Sequence, residues 1–231
     1  MLHNIRGCIV AVALVCLLGC ERSSSQESQL ASQKETTNRT TSQSVELMIE
    51  GQVVQQSFSP FWIYKDKGSR ENHFVPSGFM PNGKCLTFND AWKEGCQGED
   101  SKMCIKIIYD AECSRQDQKW AGIYWLSPAN NWGKQKGGFN LDGAQELSFW
   151  AKGEKGGERI EEFKVGGISG DYPDTDMAMI GPVILTNEWR EYTIDLRGKD
   201  LLYISGGFSW ATNVDVNPDG CTFYLDNIRY K

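Results

Sequence analysis

Short apolar runs separated by glycine, asparagine, aspartate and proline dominate this sequence, and a helical period is nearly absent. Several short strands with turn signals between them are typical of an antiparallel sandwich or barrel, and they argue against a βαβ fold. The chain is therefore predicted to be all-β, an antiparallel two-sheet β-sandwich. The runs are "FWIY", "CIKIIYD", "AGIYWL", "ELSFWAKG", "IEEFKVGGI", "PVILT", "REYTIDL", "LYISGGFSW" and "CTFYLDNIRY".

Residues 1–20 are predicted to be a lipoprotein signal peptide. Arg6 precedes an apolar run over residues 8–18, which is too short to span a bilayer comfortably. The run ends in "LLGC", which looks like a bacterial lipobox with Cys20 as the residue that becomes acylated. The alternative is an ordinary secretory signal that happens to contain a cysteine.

Residues 21–45 are predicted to be a flexible tether, because they are rich in Ser, Thr and Gln and almost free of apolar side chains. Residues 46–231 then form one domain of about 185 residues. The net charge of −6 disfavours nucleic acid or an anionic lipid surface as the main partner. The predicted location is extracytoplasmic, in the cell envelope at the outer membrane or cell surface, with the lipid as the only membrane contact.

The cysteines indicate an oxidising compartment. Cys96 and Cys104 close a short polar loop in "CQGEDSKMC", and this disulfide would stabilise the fold by about 2.5 kcal/mol in the chain-entropy model. Of Cys85, Cys113 and Cys221, two can pair and one stays free, and the spacing does not say which. A metal–thiolate site lacks the CxxC spacing and the nearby histidine that it needs.

The order of several segments resembles a known family. "GGFNLDGAQELSFWAKGEKGGERIEEFKVGGI", then "LTNEWREYTIDLRG", "ISGGFSW" and "FYLDNIRY", is similar to the galactose-binding-like β-sandwich of secreted bacterial carbohydrate-binding modules. The resemblance covers residues 60–231. It implies a jelly roll of two antiparallel sheets, glycan binding on a concave face or in the end loops, and in many members a structural calcium ion.

The last apolar run contains a register slip. Phe223 and Leu225 alternate, but the next apolar residue is Ile228, which predicts a β-bulge beside Asp226. In the family that the chain resembles, an aspartate at the position of Asp226 is commonly a calcium ligand, and a bulged strand presents carbonyl oxygens to a cation. The alternative is that Asp226 hydrogen-bonds to a neighbouring loop.

Sugar binding requires an aromatic plate beside amide or carboxylate groups. In "WAGIYWLSPANNWGKQKGG", alternation puts Trp120 and Tyr124 on one face and Trp125 on the other, and the following loop adds amides and an indole. The alternative for that loop is a capped turn whose Trp132 plugs the end of the sandwich. The "ISGGFSW" run suits either sheet packing or a sugar platform. The candidate carbohydrate-binding residues are Trp120, Tyr124, Asn130, Asn131, Trp132, Tyr172 and Trp210.

Catalysis finds little support in the residues. His73 is the only histidine after the signal, which weakens any histidine-dependent triad or metal site. The adjacent Glu161 and Glu162 point to opposite faces of a strand, and Glu154 and Glu158 flank a glycine pair that predicts a mobile turn.

The function predicted from the sequence is non-catalytic binding of a polysaccharide or oligosaccharide by a monomeric, membrane-anchored lipoprotein that does not bind nucleic acid. Calcium is its predicted structural cofactor. The alternatives are a small jelly-roll enzyme that degrades polysaccharide, as a glycosidase or lyase, and a structural envelope lipoprotein that binds a protein partner.

Overall fold

The computed structural model describes residues 46–49, 52–55, 58–81, 83–97 and 102–231, with only the backbone described before residue 58. The predicted signal, the tether and Cys20 lie outside these residues. Within them, fifteen β-strands and one short helix are formed, and no helix is long and apolar enough to cross a bilayer. The first two strands, β1 (Glu46–Ile49) and β2 (Gln52–Gln55), pair with each other.

Two antiparallel sheets carry the fold. The five-stranded sheet has the order β11 (Met177–Ile180), β10 (Glu162–Gly166), β14 (Gly206–Asn213), β7 (Trp120–Leu126) and β4 (Val75–Met80). The six-stranded sheet has the order β13 (Arg190–Asp195), β8 (Glu146–Gly153), β15 (Cys221–Tyr230), β6 (Cys104–Tyr109) and β5 (Leu86–Trp92), with β3 (Phe61–Tyr64) also paired to β15. The short strands β9 (Arg159–Ile160) and β12 (Val183–Ile184) form a separate pair.

The two sheets pack face to face, which confirms the predicted β-sandwich. Phe149 of β8 lies 4.6 Å, centroid to centroid, from Phe163 of β10 and 5.2 Å from Phe208 of β14. Trp210 of β14 meets Phe223 of β15 edge to face at 4.9 Å. Successive strands alternate repeatedly between the sheets, which is the winding of a jelly roll. Burial of these large rings is the main stabilising contribution of the interior.

Two disulfides close loops at the edge strand β5. The Cys96–Cys104 bond confirms the prediction, and the structure pairs Cys85 with Cys113, which lies in the short helix α1 (Ala111–Arg115). Cys221 is free and buried, and burial raises the pKa of its thiol to about 12. The free thiol is therefore protonated, and a poor nucleophile, at neutral pH.

The predicted register slip in the last strand is a β-bulge. The pairing of β15 with β8 shifts between Asp226 and Arg229, and Asn227 between them has a φ of 50°. Asparagine tolerates this left-handed conformation better than most residues. Past the bulge, Ile228 returns to the core side, so the strand keeps its apolar face buried along its whole length.

Candidate functional site

The outer face of the five-stranded sheet is built on very small residues, and we call it the small-residue face. On β7, Ile123 and Trp125 point into the core, so Gly122 and Tyr124 point outward by alternation. Their neighbours across the sheet are Ala211 and Ser209 of β14, and Gly78 of β4 lies beside Tyr124. Small residues of three strands therefore lie around Tyr124, which packs with Leu126, Ile168 and Met80 in a separate small cluster.

Trp132 lies over this floor. A β-carbon on Gly78 would come within 2.9 Å of the Trp132 ring and 2.8 Å of the Tyr124 β-carbon, so only glycine leaves room for the indole. Trp132 and Tyr124 meet edge to face at 5.7 Å. The indole remains 38% exposed while the tyrosine is 4% exposed, so Trp132 is the member of the pair that a ligand can reach.

The loop before and after Trp132 is held by its own sequence. The Asn131 side chain accepts the backbone N–H groups of Lys134 and Gln135 and donates to the Gln135 carbonyl. A β-carbon on Gly133 would lie 2.0 Å from the Ser169 carbonyl oxygen. Glycine is therefore required where the loop of Trp132 meets the loop of Ser169. These contacts fix the backbone on both sides of the indole.

Other exposed apolar groups and one ion pair lie on or beside the small-residue face. Trp120 and Tyr172 are each 37% exposed, and the Tyr172 N–H donates to the carbonyl of Gly133, next to Trp132. Lys164 lies 2.9 Å from Glu162 and 5.3 Å from the Tyr124 ring, so a charged pair borders the aromatic group. Burial raises the pKa of the Tyr124 hydroxyl, which donates to the Gly166 carbonyl. The exposed Met177 and Met179 complete the rim on β11.

Five of the seven predicted sugar-binding residues lie on or beside this face, namely Trp120, Tyr124, Asn130, Trp132 and Tyr172. Trp210 does not, because it is fully buried between the sheets against Phe223, and its predicted binding role is corrected to a core role. Asn131 is also buried, and all its hydrogen bonds serve the loop, so it positions Trp132 and cannot meet a ligand. Asn130 is exposed with a φ of 60°.

Asp226 is fully buried, and its carboxylate accepts two backbone N–H groups, from Gln97 at 3.2 Å and Asn227 at 2.8 Å. Such donors favour a hydrogen-bonded carboxylate over a cation ligand, because N–H groups repel a cation. Among the described residues, no group of three His, Cys, Asp or Glu side chains could hold a metal ion. The two N–H donors match the alternative in which Asp226 hydrogen-bonds to a neighbouring loop, and calcium stays a prediction.

His73 and Glu158, two residues considered for catalysis, both have packed environments. His73 stacks on Phe61 at 3.8 Å, so it packs beside the first core strand. Glu158 is buried, unlike the mobile turn expected for it, and its Oε1 accepts the Lys155 N–H while Oε2 has no hydrogen-bond partner. It lines a cleft of about 430 Å³ between loops 154–158 and 216–220, together with Cys221. Because Gly156 and Gly157 precede Glu158, the sequence predicted a mobile turn there and not a buried side chain.

The sequence reasoning missed a second aromatic group, on the outer face of the six-stranded sheet. Trp92, Tyr224 and Trp189 lie there with Lys106 and Lys152 between them. Alternation about Phe223 and Leu225 puts Tyr224 on the outside, which was a usable signal. The two tryptophans come from distant parts of the chain, and no local pattern predicts that they share a face.

No protein-family model matches this sequence, and no curated protein matches it. Solved structures that match this chain include carbohydrate-binding modules. A family 30 module is 14% identical, with 75% of this chain and 87% of that chain covered and a TM-score of 0.49. A family 29 module solved with cellohexaose is 14% identical, with 74% and 89% covered and a TM-score of 0.44. The family 11 module of the Clostridium thermocellum cellulase Lic26A-Cel5E is 14% identical, with 63% and 79% covered and a TM-score of 0.38.

Proposed function

We propose that this protein binds a polysaccharide on its small-residue face without cleaving it. The observation that carries the proposal is Trp132, an exposed indole fixed above a glycine floor by contacts on both sides of the loop. A sugar presents a flat C–H face and a rim of hydroxyl groups. The indole supplies the apolar plate, and Glu162 and Lys164 supply an acceptor and a donor for hydroxyls at the border.

The size of the stacking contribution sets what the face must contain. One sugar on one indole hides about 100 Å² of apolar surface, worth about 2.5 kcal/mol, and association entropy opposes it. A single plate therefore gives weak binding. Trp120 and Tyr172 add two more exposed rings on the same side of the sandwich, so a chain of several sugars can engage more than one.

The proposal predicts that Trp132→Ala lowers affinity for the bound glycan by well over tenfold, since it removes about 2.5 kcal/mol of stacking. Native affinity electrophoresis through gels that contain different polysaccharides measures this as lost retardation. The matched control is Trp62→Ala, which removes an indole from the other sheet. Equal retardation of Trp132→Ala and the parent protein in a gel that retards both would contradict the proposal.

Non-catalytic binding is tested in the same gels. We expect no new reducing ends after prolonged incubation with the retained polysaccharide. Release of reducing ends would favour the alternative of a small jelly-roll enzyme. Migration without retardation in every gel, by folded protein, would favour a protein partner instead.

We also propose that Cys20 is acylated and that the domain is held at the cell envelope, outside the cytoplasm. The support is the "LLGC" sequence and the polar stretch that follows it. Metabolic labelling with a fatty-acid analogue should mark the parent protein and leave Cys20→Ser unmarked. Equal labelling of both would refute acylation at Cys20.

A further inference from the structure

Five side chains form a line across the outer face of the six-stranded sheet, and we call it the aromatic–lysine row. Tyr224 of β15 is paired directly with Lys106 of β6 on one side and with Lys152 of β8 on the other. Trp92 of β5 and Trp189, next to the start of β13, stand at the two ends. Because neighbouring strands are about 4.8 Å apart, the two lysines are rooted about 10 Å from each other.

Each lysine of the row lies between two aromatic rings. Lys106 Nζ is 4.1 Å from the centroid of the Trp92 ring and 5.4 Å from that of Tyr224. Lys152 Nζ is 4.9 Å from the Tyr224 centroid and 5.3 Å from that of Trp189. These distances are within the range in which a cation is attracted to a ring face. The row therefore alternates ring, cation, ring, cation, ring.

Neither lysine has an acidic partner within the part of the chain that the structure describes. No carboxylate oxygen there is within 4.0 Å of Lys106 or Lys152, whereas Lys164 on the opposite face is paired with Glu162 at 2.9 Å. A ring face attracts a cation but does not neutralise its charge. The row thus carries two partly buried positive charges that the carboxylates of a ligand can neutralise.

The rings of the row are fixed at their edges. The Trp92 indole N–H donates to the Glu94 carbonyl and the Trp189 indole N–H donates to the Gly95 carbonyl, both at the same loop. The Cys96–Cys104 disulfide closes that loop against β6. The row is therefore organised before any ligand arrives, which lowers the entropy that binding must overcome.

From this arrangement we propose that the aromatic–lysine row binds an acidic polysaccharide, a chain whose sugars carry carboxylates. The C–H faces of its sugars pack on Trp92 and Trp189, and its carboxylates lie against the ammonium groups of Lys106 and Lys152. The site is on the opposite sheet from the small-residue face and does not depend on it. The protein would thus hold two different glycans on its two sides.

Two acidic residues border the row and set the sign of a further effect. The Glu154 carboxylate accepts a hydrogen bond from the hydroxyl of Tyr224. The pKa of that hydroxyl is raised by burial, which is the largest cause, and by Glu154 and Glu94. A carboxylate ligand is repelled by Glu154. Glu154→Gln removes this repulsion and keeps an acceptor for the tyrosine, so it should strengthen binding of the acidic glycan.

The test uses the full 231-residue chain in native gels containing polygalacturonate, with fully methyl-esterified polygalacturonate as the uncharged control. We expect retardation by the acid form only, and its loss as the ionic strength is raised. Lys106→Gln with Lys152→Gln should weaken retention at least about tenfold, since each change removes a charge-assisted contact. Lys164→Gln, on the other face, should leave it unchanged.

The outcomes separate this proposal from the first one. Trp132→Ala should retain binding to polygalacturonate even when it has lost the glycan of the small-residue face. Equal retention on the acid and its ester, or retention unaffected by the two lysine changes, overturns the proposal. So does a protein that is folded, as judged by an unchanged melting curve, and is not retarded by the acid form. Weaker binding by Glu154→Gln also counts against it.

Discussion

The two outer faces of the sandwich are built in opposite ways. On the small-residue face, Gly78 leaves room for the Trp132 ring beside Tyr124, and other exposed groups stand around them. On the six-stranded sheet, Tyr224 and its neighbours fill the centre and pack against one another. The lysine of the first face is paired with a glutamate, and those of the second are paired with rings. One fold thus presents a shaped surface whose lysine is ion-paired and a flat surface whose lysines have aromatic partners.

The difference shows that the outward positions of each strand decide the chemistry of a face. Gly122 and Tyr124 alternate with core residues of β7, and Tyr224 alternates with core residues of β15. A face becomes a groove where the outward positions are small, and a platform where they are large. Changes at core, groove and platform positions should therefore differ in their effects on stability and on binding.

The largest expected effect concerns the boundary between core and groove on β14. Trp210→Ala should cost about 3–5 kcal/mol of stability, because it opens a cavity beside Phe223, and it should lower the Tm by about 10 °C. Glycan affinity of the folded fraction should persist. Thermal unfolding and affinity electrophoresis of the same sample check both. Loss of glycan binding with an unchanged Tm would instead place Trp210 at the ligand.

The two disulfides should differ in how much they stabilise the fold and in which face they support. Cys85→Ala with Cys113→Ala opens a span of 28 residues and should cost about 3.5 kcal/mol, whereas Cys96→Ala with Cys104→Ala opens a span of 8 and should cost about 2.5 kcal/mol. Only the second pair should also weaken binding at the aromatic–lysine row. Urea unfolding ranks the two costs. An equal loss of binding on both faces would show that the loop supports the whole sandwich.

A smaller effect is expected at the glycine floor. Gly78→Ala places a β-carbon within 3.0 Å of Tyr124, Leu126 and Trp132, and overpacking of this kind costs about 1–3 kcal/mol. The indole must move, so binding on the small-residue face should fall while binding on the other face stays. Gly68→Ala, at a site with open space but a φ of 76°, is a control for a stability loss that does not come from crowding Trp132. Unchanged binding by Gly78→Ala would show that the floor does not define the groove.

The smallest expected effect is that of chelation. Because both Asp226 oxygens accept backbone N–H groups, we expect EDTA to leave the Tm within about 1 °C, while Asp226→Asn lowers it by leaving a buried N–H unpaired. A Tm that falls in EDTA and recovers with calcium would instead support the structural calcium ion that the family resemblance implied.

The sequence predicted the strands whose apolar runs are uninterrupted. "FWIY" is β3 with the same bounds, and the bulge near Asp226 followed from the slip between Leu225 and Ile228. The strands β4 and β5 were missed, because Pro76 and the Asn89–Asp90 pair resemble turn signals. Both are edge strands, where proline and polar residues are tolerated since one side of the ladder is open.

The site was predictable only where its residues are close in sequence. The motif around Trp132 contains both the ring and the asparagine that holds it, so a local pattern was enough. For Trp210, the "SGGFSW" run has small residues on one side of the strand and rings on the other, and the sequence does not say which side is buried. The aromatic–lysine row joins five strands or loops, and its geometry depends on the sheet order.

The position of β15 in its sheet has a consequence for folding. This strand is central, with β8 on one side and both β6 and β3 on the other, and all three precede it in the chain. Neither flank of the six-stranded sheet can close until residues 221–230 have been made. Contacts so distant in sequence favour slow folding, and they leave unpaired strand edges exposed until late. During synthesis, the edges of β8, β6 and β3 thus stay unpaired until β15 joins them.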